Sequence, residues 1–244
     1  MRNLRLDLCY DGTRYKGWQR LANSDQTIQQ KLETTLSRIL GEAIEVTGSG
    51  RTDAGTHALG QVANCHCSST MPCEEILSQL RRYLPEDIGI YSVKNASERF
   101  HARLNAKTKT YCYRLWNSDE PCVFERKYVC VDPRPLDIPL MTQAAADFLG
   151  EHDFSAFCAN KHMKKSTVRY IHDFQIICCG NEIRFTVTGN GFLHHMVRIM
   201  VGTLLEIGRG ERPADSIAQL YGADRSCAGA LMDSCGLCLM EVNY

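Results

Sequence analysis

The chain has 244 residues, 44% hydrophobic and 23% charged, with Lys plus Arg and Asp plus Glu at 28 each. That is ordinary globular composition with room for one large or two modest cores, and the zero net charge excludes a global field that would advertise a nucleic-acid partner. Thirteen cysteines are present, many in apolar runs, and the chain starts Met-Arg-Asn-Leu-Arg without an apolar leader. The expectation is therefore a reducing cytoplasm and small hydrophobic thiols, not a disulfide framework. Cys235-Gly-Leu-Cys238 has no second pair at zinc-ligand spacing, and no apolar run reaches membrane-spanning length.

Asn3 to Tyr10 alternates leucines with Arg5 and Asp7, the period of a half-buried strand. A loop with Arg14, Lys16, Trp18 and Arg20 follows, an aromatic-basic mixture suited to bases and phosphate, or a Trp on the core edge with solvated neighbours. Thr27 and Gln30 make a capping pattern, and Ile28, Leu32, Leu36, Ile39 and Leu40 form a helical face closed by Gly41. Ile44 and Val46 form a short strand into the loop Gly48 to His57, and Gln61 to Cys67 leaves it as a strand. Cys73 to Tyr83 reads as a helix and Ile88 to Val93 as a strand.

The second half repeats that order. Thr108 to Trp116 is a strand, Ile138 to Leu149 a helix, and Val168 to Cys178 and Ile183 to Thr188 strands. Phe192 to Ile207 and Ser216 to Tyr221 read as helices, and Leu237 to Tyr244 as the last strand. The fold class is α+β, two ferredoxin-like halves (split βαβ, RRM-like) with mixed, mainly antiparallel sheets joined around a central cleft. The halves are residues 1–102 and 103–244. Two acid-free basic segments hide in the neutral total: one carries Arg99, His101, Arg103, Lys107 and Lys109, the other Lys161, Lys164, Lys165 and Arg169. Each alone is compatible with a solvated loop, and together they favour RNA.

Three glycines in the eight residues from Gly48 to Gly55 allow tight turns and close backbone approach around Asp53. The helix from Phe192 is apolar nearly all round yet carries Arg198, a guanidinium that burial makes costly without a carboxylate. We therefore expect an Asp53–Arg198 ion pair that keeps Asp53 ionised and oriented. His194 and His195 would share the Arg198 face as ligands, acids or packed polar residues. Tyr111, Tyr113 and Leu115 share a strand face, where Tyr111 could stack on a base, move a proton or fill core.

Gly50-Arg51-Thr52-Asp53-Ala54-Gly55-Thr56-His57-Ala58, preceded by Tyr10-Asp11-Gly12-Thr13 and Gly17-Trp18-Gln19, resembles the TruA-type tRNA pseudouridine synthases. Leu84-Pro85-Glu86-Asp87-Ile88, Phe100-His101-Ala102-Arg103, Lys109 to Arg114, His152 to Phe157 and Phe192 to Arg198 continue in family order over essentially the whole chain. The resemblance implies the pseudouridine synthase fold and an isomerase that cleaves the N-glycosidic bond of uridines 38, 39 and 40 in the tRNA anticodon arm. It implies Asp53 as nucleophile, Tyr111 in stacking and proton handling, and Arg198 paired to Asp53. Arg51 corresponds to the base-flipping or RNA-contacting arginine, and Arg14, Lys16, Arg20, Arg99, His101, Arg103, Lys109, Lys164, Lys165, His194 and His195 are candidates for RNA contact. No cofactor or metal is implied, and the family is homodimeric with one tRNA laid across both subunits. Thr56 stands where the motif more often has Val. The alternatives are a paralogous synthase acting on another RNA and an RNA-binding or folding protein on the same scaffold.

Overall fold

The computed structural model describes residues 1–160 and 163–244, so Lys161 lies outside the described residues. In chain order the elements are β1 (Arg2–Tyr10), α1 (Ile28–Leu40), β2 (Val46–Gly48), β3 (His57–Cys67), α2 (Cys73–Tyr83) and β4 (Ile88–Ala96). Then come β5 (Thr108–Trp116), β6 (Cys130–Val131), α3 (Ile138–Ala145), β7 (Gly150–Asp153), β8 (Val168–Cys179), β9 (Glu182–Gly189), α4 (Met196–Gly208) and β10 (Leu237–Asn243). The chain divides into two compact units, Met1–Lys107 with Cys238–Tyr244, and Thr108–Leu237. The division thus falls five residues beyond 102/103, and the last strand groups with the first unit instead of completing the second.

In the first unit β1 lies between β4 and β3, antiparallel to both, and β2 is antiparallel to β3. This is the strand order of a split βαβ unit. β10 adds to it, parallel to the start of β3, with Cys238 opposite His57 and Leu239 opposite Ala58. Leu4, Leu6, Leu8 and Tyr10 on β1 are buried, while Arg5, Asp7 and Cys9 on the other face are half-buried, as period-2 alternation requires. Ile28, Leu32 and Leu36 of α1 and Ile76 and Leu80 of α2 fill the same core. The Thr27 hydroxyl accepts the Gln30 N–H at 3.3 Å, and Gly41 ends α1 in the left-handed region at φ 72°, which costs glycine nothing.

Buried polar side chains tie the segments of this unit together. Glu33 on α1 accepts from Arg20 at 3.0 Å, from Gln29 at 2.9 Å and from the Val46 N–H at 3.0 Å, fixing where β2 begins. The Asn3 amide donates to the carbonyls of Ser97 (3.0 Å) and Phe100 (2.7 Å), and Asn64 accepts the Ala102 N–H at 2.9 Å. The basic linker is thereby anchored on β1 and β3.

In the second unit the order is β5, β9, β8, β7, each pair antiparallel, with β6 parallel to β5. Phe148, Phe154, Phe157, Tyr113 and Phe185 form its fully buried aromatic core. Asp137 caps α3 by accepting the Leu140 N–H at 2.9 Å. The helix expected to reach Leu149 ends at Ala145 and tightens into a 3-10 turn over Ala146–Phe148. The helix expected from Phe192 starts at Met196, because His195 sits at φ 64° and a right-handed helix cannot run through it. His194 and His195 therefore do not share a helical face with Arg198. The helix expected at Ser216 to Tyr221 is a 3-10 segment over Ala214–Leu220.

All of α4 except Glu206 is buried. Part of the cover is backbone, since a Cβ on Gly202 would lie 1.9 Å from the Ala230 carbonyl oxygen. The segment 229–232 is held along the helix by three side chains. Thr203 Oγ1 accepts the Gly229 N–H at 3.0 Å, Glu206 accepts the Ala230 N–H at 2.9 Å, and Arg198 Nε donates to the Met232 carbonyl at 2.6 Å. Among the described residues no helix is long and apolar enough to cross a membrane.

Candidate active site

In the first unit Asp53 lies in the loop between β2 and β3, four residues before β3, and is half-buried. Its loop is gripped by the loop after β1. The Thr52 carbonyl accepts the Trp18 N–H at 3.1 Å, the Gly55 N–H donates to the Tyr15 carbonyl at 3.2 Å, and the Asp53 carbonyl accepts the Thr56 N–H at 3.1 Å. Gly17 is required at this junction. It sits at φ 90°, and a Cβ there would lie 2.6 Å from the Thr52 carbonyl oxygen. Trp18 is 2% exposed and packs against Gly48, where a Cβ would meet its ring at 2.4 Å. Trp18 therefore serves the core edge and the loop, not stacking on bases.

A polar network that the sequence did not signal fixes the other side of the loop. Gln61 is fully buried; it accepts the Ser49 hydroxyl at 2.6 Å and donates to the Gly50 carbonyl at 3.0 Å and to the Tyr10 hydroxyl at 3.3 Å. The Tyr10 and Thr52 hydroxyls share a hydrogen bond of 2.8 Å. Burial pushes the Tyr10 phenol above its usual range, so it remains a neutral hydroxyl within the network. Gln61 reads in the sequence only as the start of a strand; its signal was an amide at a position where alternation called for core.

Asp87, within the Leu84 to Ile88 motif, is a second support, whose partners the sequence did not signal. It accepts from Tyr15 at 2.5 Å and from Arg14 at 2.6 Å, and its backbone carbonyl accepts the Asp11 N–H at 2.9 Å. The Leu-Pro-Glu-Asp-Ile stretch thus tethers the loop that grips the Asp53 loop. The Thr56 hydroxyl, 1% exposed, is buried without a hydrogen-bond partner.

The candidate basic residues of this unit fall into different states. Arg51 and Lys16 are exposed and make no side-chain hydrogen bond or ion pair among the described residues. Arg14 and Arg20 are exposed but engaged, with Asp87 and with Glu33. Arg99 and Arg103 are exposed, whereas His101 builds the linker turn, its Nδ1 accepting the N–H groups of Arg103 and Leu104 at 3.2 Å each.

In the second unit Tyr111 on β5 is 7% exposed and meets the Phe192 ring edge-on, with centroids 5.1 Å apart. Tyr113, one alternation further on, is fully buried and donates to the Asp233 carbonyl at 2.9 Å. Arg198 is buried on the first turn of α4. The rings of His194 and His195 lie against each other at 3.7 Å just before the helix, His194 exposed and His195 half-buried. Lys109 is half-buried on β5, Lys164 and Lys165 are exposed, and Arg169 is turned back onto the Ser166 and Val168 carbonyls at 2.9 and 2.6 Å.

Residues 9–105 and 144–244 match the family described as tRNA pseudouridine synthase. The chain belongs to that family. It is 48% identical to tRNA pseudouridine synthase A of Bacillus sp. (strain KSM-64) over the full length of both chains. It is 45% identical to tRNA pseudouridine synthase A 1 of Clostridium tetani (strain Massachusetts / E88) and 42% to tRNA pseudouridine synthase A 2 of Bacillus cereus (strain ZK / E33L), each again over both full lengths. A chain of a solved Cbf5-Nop10-Gar1 complex aligns with 97% of this chain and 48% of its own at TM-score 0.38 and 12% identity. Family membership makes the chain an isomerase.

Proposed function

We propose that the protein converts uridines 38, 39 and 40 in the anticodon arm of tRNA to pseudouridine, with Asp53 as the nucleophile. The observation that carries the assignment is the loop itself. Its backbone is hydrogen-bonded at Thr52, Asp53 and Gly55, so the half-buried Asp53 carboxylate projects from a fixed frame. In the reaction the N1–C1′ bond breaks, the base rotates, and C5–C1′ forms. The C5 hydrogen leaves to solvent and N1 takes a proton.

Arg198 is the cation that partners Asp53, since its burial is tolerable only with an anion or several acceptors and one of its donors is already used on Met232. Tyr111, propped edge-on by Phe192, stacks on the extruded uracil and handles a proton. Arg51, exposed at the same loop as Asp53, holds the strand from which the base is flipped. Lys16, Arg99, Arg103, Lys164 and Lys165 are exposed and suited to phosphate, and the tRNA lies across a homodimer.

The test is tritium release from C5-labelled uridine in tRNA transcripts by the wild type and Asp53→Ala, with the anticodon-arm uridines replaced in a third sample. Release that requires both Asp53 and those uridines is expected. Asp53-dependent release only from other RNA assigns a paralogous synthase, and RNA binding without any release assigns a binding protein on this scaffold.

A further inference from the structure

β8 is paired unequally on its two edges. One edge runs beside β9 from Ile171 to Cys179, whereas on the other β7 covers only Val168 to Ile171. Among the described residues no strand lies on that second edge beyond Ile171, and no backbone hydrogen bond outside the β8–β9 ladder involves Phe174 to Cys179.

Which groups face the open edge follows from the hairpin. Gly180, at φ 62°, and Asn181 form the two-residue turn, with glycine at the first central position as a type II′ turn requires. Cys179 and Glu182 are the hydrogen-bonded pair that closes it. Bonding alternates along an antiparallel pair, so Ile177 and Gln175 turn their N–H and C=O groups towards β9. Phe174, Ile176 and Cys178 turn theirs outward.

Proteins ordinarily blunt such an edge with lysine, proline, a bulge or a covering element. β8 has a register irregularity between Ile171 and Asp173, but beyond it Phe174-Gln175-Ile176-Ile177-Cys178-Cys179 pairs with β9 without a further shift and carries no charge and no proline. The edge is also held firm from below, because Phe174 stacks on Phe148 at 5.5 Å. On the opposite face Ile177 is 48% exposed, and Gln175 and Cys179 are exposed too.

We infer that this edge pairs antiparallel with the same edge of a second copy of the chain, Ile176 opposite the partner's Ile176 and Phe174 opposite the partner's Cys178. A two-fold axis makes the contact isologous and closed. The segment is self-complementary in that register. Asp173, the charged residue next to it, falls opposite the partner's Cys179 and not opposite its own copy, and Gln175 falls opposite the partner's Ile177. The inference rests on the homodimer in the function proposed above and adds to it the surface.

The test uses the full chain. Size-exclusion chromatography with light scattering is run on wild type and Ile176→Pro, alongside amide hydrogen exchange on both. Proline at an outward-facing position removes an edge donor without removing a bond to β9. Wild type is expected at twice the protomer mass, with the N–H groups of Phe174, Ile176 and Cys178 protected. Ile176→Pro is expected to show a twofold fall in mass, with β8–β9 amides still protected and the outward ones exchanging about tenfold faster or more. A monomeric wild type overturns both the homodimer and this surface. A dimeric wild type whose outward amides exchange freely, or a dimeric Ile176→Pro, overturns the surface and leaves the homodimer standing. If Ile176→Pro fails to fold, the wild-type amides decide.

Discussion

The Tyr15 hydroxyl donates to Asp87 at 2.5 Å, and the carbonyl of the same tyrosine accepts the N–H of Gly55, two residues beyond Asp53. One side chain just before β4 is thus linked through a single residue to the frame of the Asp53 loop. Asp87→Ala is expected to lower single-turnover pseudouridine formation about 10- to 100-fold with little change in tRNA affinity, since loss of positioning on the order of 1 Å has that effect. Tyr15→Phe removes one of the bonds and should lower the rate less. Equal rates for Asp87→Ala and wild type would show that the tether does not position the loop.

Thr56, three residues after Asp53, buries its hydroxyl with no partner for Oγ1. A buried hydroxyl left unpaired costs about 1–3 kcal/mol, and valine keeps the shape without it. Thr56→Val should therefore be more stable than wild type by about 1 kcal/mol, read as a raised urea midpoint at unchanged slope, with activity retained.

Glu182 opens β9 between two guanidiniums, accepting from Arg114 at 2.8 Å and from Arg184 at 2.6 Å. Arg114 above all holds its carboxyl down to about 2. A carboxyl depressed in the folded state stabilises it fully above the unfolded value near 4.5, and that stabilisation is lost as pH falls towards 2. The unfolding free energy from urea titrations should therefore drop between pH 4.5 and 2, by on the order of 2 kcal/mol from this group. Glu182→Gln should be less stable at pH 7 and show a shallower acid limb; identical acid limbs would assign the loss to other carboxyls.

Arg198 donates Nε to the Met232 carbonyl at 2.6 Å, so it serves the segment that covers α4 as well as the proposed pair with Asp53. Arg198→Met is expected to cost about 2–4 kcal/mol in chemical denaturation, because the Met232 carbonyl loses its donor and, on the proposed pairing, so does the Asp53 carboxylate. Pseudouridine formation should be lost with it. A folded Arg198→Met protein of full activity would sink the pairing.

Local signals in the sequence carried α1 well: a threonine cap, a leucine face and a glycine that takes φ 72°. They carried β1 and α2 equally well, because burial there follows one period, and they carried the bounds of β5 although Tyr111, Cys112 and Tyr113 are buried in succession. The start of α4 was misplaced because Phe192 to His195 continues the apolar pattern, and only the backbone turn at His195 breaks it. The place of β10 was not legible at all, since pairing Cys238 with His57 depends on contacts far apart in the chain. In the site, the loop was plain from its glycines and lone carboxylate. Its supports, Gln61 and Asp87, were hidden because a single polar residue at a strand start and an acid in a turn look alike whether or not they hold anything.

The parallel pairing of β10 with the first residues of β3 has a consequence for biosynthesis. The whole of the second unit leaves the ribosome between those two strands. While it does so, the stretch of β3 directly after the Asp53 loop stands without its neighbour, so the nascent first unit cannot mature before translation has passed the second. A stalled or prematurely terminated chain would expose that edge beside its own Asp53 loop, where chaperone capture or proteolysis would meet it first.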